Sequence, residues 1–335
     1  LKLTDMYYRR KHGTGFTYID EQNKTVKDKS IREWFTSLVI PPAWTDVEIS
    51  EDKKADILAT GRDAKNRKQY IYNPDIQEKH NQEKFDRIIR FAEQLEHMRR
   101  VTGQHLRQRK MSREKVLSTM LRLMDQAYFR PGSPRYTEEN NTYGLTTLRK
   151  KHVEINDDEI IFSYLGKSGQ EQERHVEDKK LANAIKNLDD IPGYRLFKYY
   201  DENNNKKEVE ASELNDFIHE CMGEDFSAKD FRTWAGTMIA ALAFDELGTV
   251  SKEDQASLDK NIKSVVVSVS EQLGNTPAVA KSAYIDPRVI DNYIEGKTAH
   301  YFLDQVKHLI KDNQNLSEEE LSVLCMLRES LKKKS

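Results

Sequence analysis

Leu273-Gly274-Asn275-Thr276-Pro277-Ala278-Val279-Ala280-Lys281-Ser282-Ala283-Tyr284-Ile285-Asp286-Pro287 closes a helical pattern striped by Ile262, Val265, Val266 and Val269. The pattern runs into Gly274, stops at a turn containing Pro277, and delivers a lone tyrosine just before Pro287 breaks the chain again. The chain holds 15 tyrosines, and an isolated one reads as an amphipathic packing residue unless partners elsewhere give it chemistry. What else converges on this stretch therefore decides both fold and function.

A length of 335 residues suits two domains. Hydrophobic residues make up 37% and charged residues 33%, a polar balance that still carries clear apolar periodicities, so the chain is expected to be globular and soluble. No stretch approaches the roughly 18 apolar residues of a membrane span, and Leu1-Lys2-Leu3-Thr4-Asp5 lacks the apolar core of a signal peptide. Two distant cysteines, Cys221 and Cys325, support neither a disulfide framework nor a cysteine metal site, and a reducing cytoplasm is expected. The net charge of −2 argues against simple coating of nucleic acid. Locally, Arg99, Arg100, Arg107, Arg109, Lys110, Arg113 and Lys115 face a single acid, Glu114, so this run reads either as a basic face or as a solvated helix surface.

Short runs with β-branched and aromatic residues (Phe16–Ile19, Val47–Ile49, Ile57–Thr60 and Gln69–Tyr72) alternate with turn chemistry and predict a small N-terminal β-rich domain over 1–76. In the last run Tyr70 and Tyr72 share a face, which reads first as core and second as a stacking platform. Asn73-Pro74-Asp75-Ile76 reads as a linker. Helical spacing then dominates a larger domain over 77–335, with Ser112, Ser212, Ser227 and Ser317 as expected N-caps. Arg130 falls where one helix stops at Pro131-Gly132. Lys167 falls between Gly166 and Gly169 at a hairpin turn, as a solvated charge or as a cation held toward a polyanion. Arg232 lies in the first turns of the helix capped by Ser227, paired to an acid or serving an anion. The fold class is thus α+β, a β-rich domain followed by a mostly α-helical one.

Arg130, Lys167, Arg232, Asn275 and Tyr284 form one chemically coherent set. Two arginines can bind the non-bridging oxygens of a phosphodiester, a lysine can protonate a leaving alkoxide, and a tyrosine can act as nucleophile. None is specific alone.

Five segments carry a resemblance: Ile40–Val47, Ala59–Lys65 followed by Arg67–Tyr70, Tyr143–Arg149, Lys229–Trp234 and Lys281–Tyr284. In order and over most of the chain, they resemble the small type IB DNA topoisomerases of bacteria and poxviruses. The resemblance implies a small β domain and a helical catalytic domain of the type IB topoisomerase/tyrosine recombinase kind, closing as a clamp on duplex DNA. It also implies catalytic roles for Arg130, Lys167, Arg232, Asn275 and Tyr284. The poxvirus pattern has a histidine where this chain has Asn275, as bacterial members resemble; asparagine donates a neutral hydrogen bond but brings no charge.

The implied reaction is relaxation of supercoiled DNA through a 3′-phosphotyrosyl intermediate on Tyr284, with no cofactor, neither ATP nor an obligatory metal. Phenols ordinarily titrate near 10, so the attack needs a base, water or nearby cations. The resemblance further implies DNA contacts from Gln69, Tyr70, Tyr72, Arg135 and Tyr136, and a monomer acting on chromosomal DNA in the cytoplasm. Phosphate contacts from the run between Arg99 and Lys115 are also expected. The rivals are a tyrosine recombinase or integrase, whose usual His-x-x-Arg is here Lys229 ahead of Arg232, and a non-catalytic DNA-binding protein on the same fold.

Overall fold

A computed structural model describes residues 6–306, 309 and 314–333, and within the chain two compact units divide after Lys84. The first carries strands β1 (Met6–His12) and β2 (Gly15–Ile19), helix α1 (Lys29–Ser37), and strands β3 (Thr45–Ser50), β4 (Ile57–Arg62) and β5 (Lys68–Tyr72). The strands form one antiparallel sheet in the order β2-β1-β3-β4-β5, which leaves β5 at an edge. Phe35 of α1 is buried among Ile40, Val47, Ile49 and Ala59, with its ring against Tyr7, Tyr18 and Trp34. Gly61 has a packing reason: a Cβ there would stand 2.7 Å from the Trp44 ring, so the Pro-Pro-Ala-Trp segment and the Thr-Gly-Arg segment fit only together.

Helix α2 (Pro74–Leu106) begins where a linker was expected. Asn73 explains the correction, because its Oδ1 accepts the backbone N–H of Asp75 at 3.1 Å while Pro74 takes the first helical position, where a missing N–H breaks no bond. Helix α3 (Arg113–Ala127), capped by Ser112 as expected, is followed by α4 (Pro134–Asn140), an antiparallel sheet of β6 (Val153–Asn156), β7 (Glu159–Leu165) and β8 (Glu171–Glu177), and α5 (Lys179–Asp189). A small hairpin, β9 (Lys198–Tyr200) with β10 (Lys206–Glu208), precedes α6 (Ala211–Met222), α7 (Ala228–Leu247), α8 (Gln255–Leu273), α9 (Pro277–Ala283), α10 (Pro287–Ile294), α11 (Leu303–Val306) and α12 (Glu318–Lys332).

Ser212 is not the cap of α6, which starts one residue before it. Val209 N–H donates to Phe197 O at 3.3 Å and buries its side chain, so the chain turns into the helix from Glu210. Helix α3 is central and contacts α5, α6, α7, β8 and β9, and Val116, Leu117, Met120, Leu121, Leu123 and Met124 are fully buried. No described helix is long and apolar enough to cross a membrane.

Candidate active site

The C-terminus of α8 organises the site. Gly274 takes the left-handed conformation (φ 60°) that ends the helix, and the last carbonyls of any helix lack partners within it. Three arginines supply them here. Arg174 Nη1 donates to Gln272 O, Arg232 Nη2 to Leu273 O at 2.6 Å, and Arg130 Nη2 to Gly274 O at 2.8 Å. Arg130 Nη2 also donates to Asn275 Oδ1 at 2.6 Å, and Arg232 Nη1 to the carbonyl of Tyr128, the left-handed C-cap of α3, at 2.7 Å. All these acceptors are neutral. Charge and hydrogen bonding suit the negative end of a helix dipole, yet the arginines keep their positive charge.

Burial is the main cause that lowers the Arg130 guanidinium from its ordinary value; burial, then the like charge of Arg130, brings Arg232 down to about 10. Both remain cations at neutral pH. Arg232 Nε, Arg174 Nε and Asn275 Nδ2 are buried donors with no hydrogen-bond partner among the described residues. Such donors carry a desolvation penalty of about 1–3 kcal/mol each until an acceptor reaches them.

The local sequence explains each placement. Leu145 N and Thr146 N donate to Arg130 O and Pro131 O at 2.8 and 2.7 Å, so the Tyr-Gly-Leu-Thr-Thr segment grips the loop that carries Arg130. Gly144 permits it, since a Cβ there would meet Gly132 at 2.5 Å. Arg232 is set by the start of α7, where Ser227 and Asp230 form a reciprocal cap and Arg87 Nη2 donates to Asp230 at 3.0 Å. Tyr284 is the C-cap of α9, a helix opened by Thr276 and Pro277 rather than the plain turn expected around Pro277. Proline at the first helical position starts a helix as readily as it ends one. The backbone of Tyr284 lies against Gly236, where a Cβ would come within 2.7 Å of Tyr284 O, and Thr237 Oγ1 donates to that carbonyl at 3.3 Å. The half-buried Tyr284 ring faces the Arg232 guanidinium at 5.2 Å from its centroid.

Arg130, Arg232, Asn275 and Tyr284 are therefore brought together. Lys167 stands apart from that contact network, exposed in the β7–β8 turn beside Ser168 (φ 65°) and Gly169 (φ 73°), with no side-chain hydrogen bond or ion pair among the described residues. Sequence reading missed Arg174, Tyr164, Gln172, Gly236 and Thr237. Burial raises the Tyr164 phenol from its ordinary value, against the opposing pull of Arg174, Arg130 and Arg232. A signal for two of them existed: Gln172 and Arg174 alternate with buried Val176 on the covered face of β8, where polar side chains need partners.

Tyr70 and Tyr72 are exposed and stacked (centroids 6.0 Å apart), which overturns the core reading. Strand alternation explains the difference: Ile71 between them packs toward the core of the unit, which turns Tyr70 and Tyr72 to the other face. Gln69 lies on the opposite face of β5 and donates to Asp63 Oδ2 at 3.0 Å. Arg135 and Tyr136 are exposed on α4, Arg135 paired with Glu139 at 2.7 Å.

The basic run is not one face. Arg99 holds Asp125 and Glu320, Arg113 holds Glu213 and Glu220, and buried Lys115 donates to Gln108 O, whereas Arg100, Arg107, Arg109 and Lys110 are exposed. The inward arginines are claimed by carboxylates that the linear sequence keeps far away, and the inward lysine by a carbonyl two turns back along the chain.

Comparison with known proteins gives the family. The sequence pattern described as "Eukaryotic DNA topoisomerase I, catalytic core" matches residues 73–311, and "Bacterial DNA topoisomerase IB, N-terminal domain" matches residues 15–63. The chain belongs to the type IB DNA topoisomerases and is an enzyme of that kind. Its likeness extends to viral members. It is 33% identical over 297 residues to DNA topoisomerase 1B of Acanthamoeba polyphaga mimivirus, covering 87% of this chain and 88% of that protein. It is 25% identical over 289 residues to DNA topoisomerase I of Monkeypox virus, covering 84% and 88%. A shorter match, 30% over 111 residues, joins 32% of the chain to 10% of DNA topoisomerase 1 from Mycosarcoma maydis.

Proposed function

We propose that this topoisomerase relaxes supercoiled duplex DNA by cutting one strand through Tyr284, letting the free end rotate, and resealing it. The observation that carries the reading is the set of carbonyl-held, uncompensated arginines around the Tyr284 ring. Tyr284 Oη attacks a backbone phosphorus, the new P–Oη bond forms as P–O5′ breaks, and the phenolic proton passes to solvent. Arg130 and Arg232 bind the non-bridging oxygens as charge grows on them, and Asn275 Nδ2 adds a neutral donor. Lys167 gives its proton to the departing O5′. Religation is the same path reversed, with the 5′-hydroxyl as nucleophile and Lys167 as base, so the phosphotyrosyl bond conserves the energy and no ATP is consumed.

The β-rich domain drawn at 1–76 offers Tyr70 and Tyr72 to DNA, with Gln69 on the same strand. The domain over 77–335 adds Arg135 and Tyr136 beside the chemistry and exposed Arg100, Arg107, Arg109 and Lys110 as phosphate contacts. The protein acts as a monomer on chromosomal DNA in the cytoplasm.

The test is relaxation of plasmids of both supercoil signs with chelator present and ATP omitted, together with detergent trapping of a covalent protein-DNA adduct. Both are expected with the wild type, and Tyr284→Phe is expected to abolish both. Relaxation that survives Tyr284→Phe means another residue is the nucleophile. Absence of relaxation and of adduct in the wild type sinks the mechanism. Strand exchange between two duplexes in place of relaxation would favour the recombinase reading, against which Lys229 stands where a recombinase usually has histidine.

A further inference from the structure

The β7–β8 turn and the end of α8 meet through one side chain. Gly166 immediately precedes Lys167, and Gly274 immediately precedes Asn275. A Cβ on Gly166 would stand 2.7 Å from Gln172 Cγ, and a Cβ on Gly274 would stand 2.9 Å from both carboxamide atoms of Gln172. The Gln172 side chain thus runs from one glycine to the other, in space that any larger residue at either position would take.

Its polar atoms are fixed as well. Gln172 Oε1 accepts from Arg174 Nη2 at 2.7 Å, Gln172 Nε2 donates to Glu171 O at 3.0 Å, and Arg174 Nη1 reaches on to Gln272 O at the end of α8. The turn itself is closed beneath Lys167 by Gly166 N donating to Gln170 O at 2.7 Å. Strand β8 is therefore latched to the helix terminus that orders Arg130 and Arg232, and the latch is applied at the residue next to Lys167.

We infer that Gln172, anchored by Arg174, is a positioning residue that docks the Lys167 turn against the arginine site, so that proton delivery and phosphate binding occur at one place. The inference rests on the reading of Lys167 as the proton donor. An exposed lysine on a two-stranded turn has many orientations, and holding its backbone against the phosphate-binding element converts an occasional encounter into a fixed approach. Gln172 touches no reacting atom; its effect passes through Lys167.

Single-turnover cleavage of a duplex with an ordinary scissile diester, compared with one whose leaving 5′-oxygen is replaced by sulfur, tests this. Thiols ionise near 8.5, so a thiolate departs without a donated proton. Gln172→Ala is expected to slow cleavage of the ordinary diester by about 100-fold and to restore the sulfur-bridged substrate to within about threefold of wild type, the split expected for Lys167→Ala. Should Gln172→Ala fold poorly, Gly166→Ala provides a second route. Its φ of −91° tolerates a side chain, and its methyl displaces Gln172 from the other side with the same expected split.

A wild-type rate on the ordinary diester in both variants overturns the inference, and so does an equal loss on both substrates. If Lys167→Ala itself loses equally on both, the proton-donor assignment falls and takes the inference with it, a pattern distinct from failure of the latch alone.

Discussion

Two groups of arginines in this chain make opposite use of the same side chain. Arg99 sits between Asp125 and Glu320, bonded to both carboxylates through four N–H···O contacts of 2.7–2.8 Å. Burial by itself lowers that guanidinium, but the two acids reverse the effect and leave it raised. Arg130 is partly buried and Arg232 fully so, yet among the described residues they hold carbonyls and one carboxamide and no carboxylate, and both are lowered. A carboxylate satisfies geometry and charge together. A carbonyl satisfies geometry alone and leaves the charge for something else. The partner's charge, rather than the local density of basic residues, separates structural arginines from anion-binding ones.

Three substitutions probe that contrast, in falling order of their effect on cleavage. Arg232→Ala removes a preorganised cation from the reacting phosphate and is expected to slow single-turnover cleavage by about 10³- to 10⁵-fold. A loss under tenfold would mean that its neutral partners do not mark it as functional. Asn275→Asp converts one group into the other, because the new carboxylate would face Arg130 Nη2 at the 2.6 Å now occupied by Oδ1. Cleavage is expected to fall about 100-fold while the melting temperature rises by about 2 °C, opposite signs that a merely disruptive change would not give. Arg99→Ala takes the shared cation from buried Asp125 and partly buried Glu320 and is expected to cost about 3 kcal/mol of stability in denaturant unfolding, with cleavage per folded molecule unchanged. A selective loss of cleavage there would erase the distinction.

The sequence disclosed those parts of the fold that are written locally. Ser112, Ser227 and Ser317 cap the helices expected of them, and the runs at 160–165 and 171–176 are strands. Helix α1 and strand β1 were not read. Asp28 accepts from Ser30 and Ile31 N–H to start α1, a short-range cap that the surrounding charges obscure, and β1 is built from Met-Tyr-Tyr-Arg-Arg-Lys-His, whose strand character comes from pairing on both sides. Of the candidate site residues that the structure brings together, Arg232 and Tyr284 lie within the segments that carry the resemblance, while Arg130 and Asn275 stand outside them, beside the helix stops at Pro131-Gly132 and Gly274. Arg174 showed only as a polar residue on the covered face of β8, because its partner Gln272 O lies 98 residues away and is a backbone atom with no side-chain signature. The same holds for Gly236, whose role appears only when Tyr284 is laid against it.

The three carbonyls at the end of α8 belong to the main chain, so no side-chain replacement at Gln272, Leu273 or Gly274 can delete them. Their direction, however, depends on the helix's residue count. One residue inserted within α8 would turn its far end by about 100° and advance it by about 1.5 Å, pointing every one of those oxygens away from its guanidinium at once. The site is thus tolerant of spelling at exposed Gln272, though not at Gly274, and intolerant of length: a single-codon insertion or deletion upstream in the helix dismantles it.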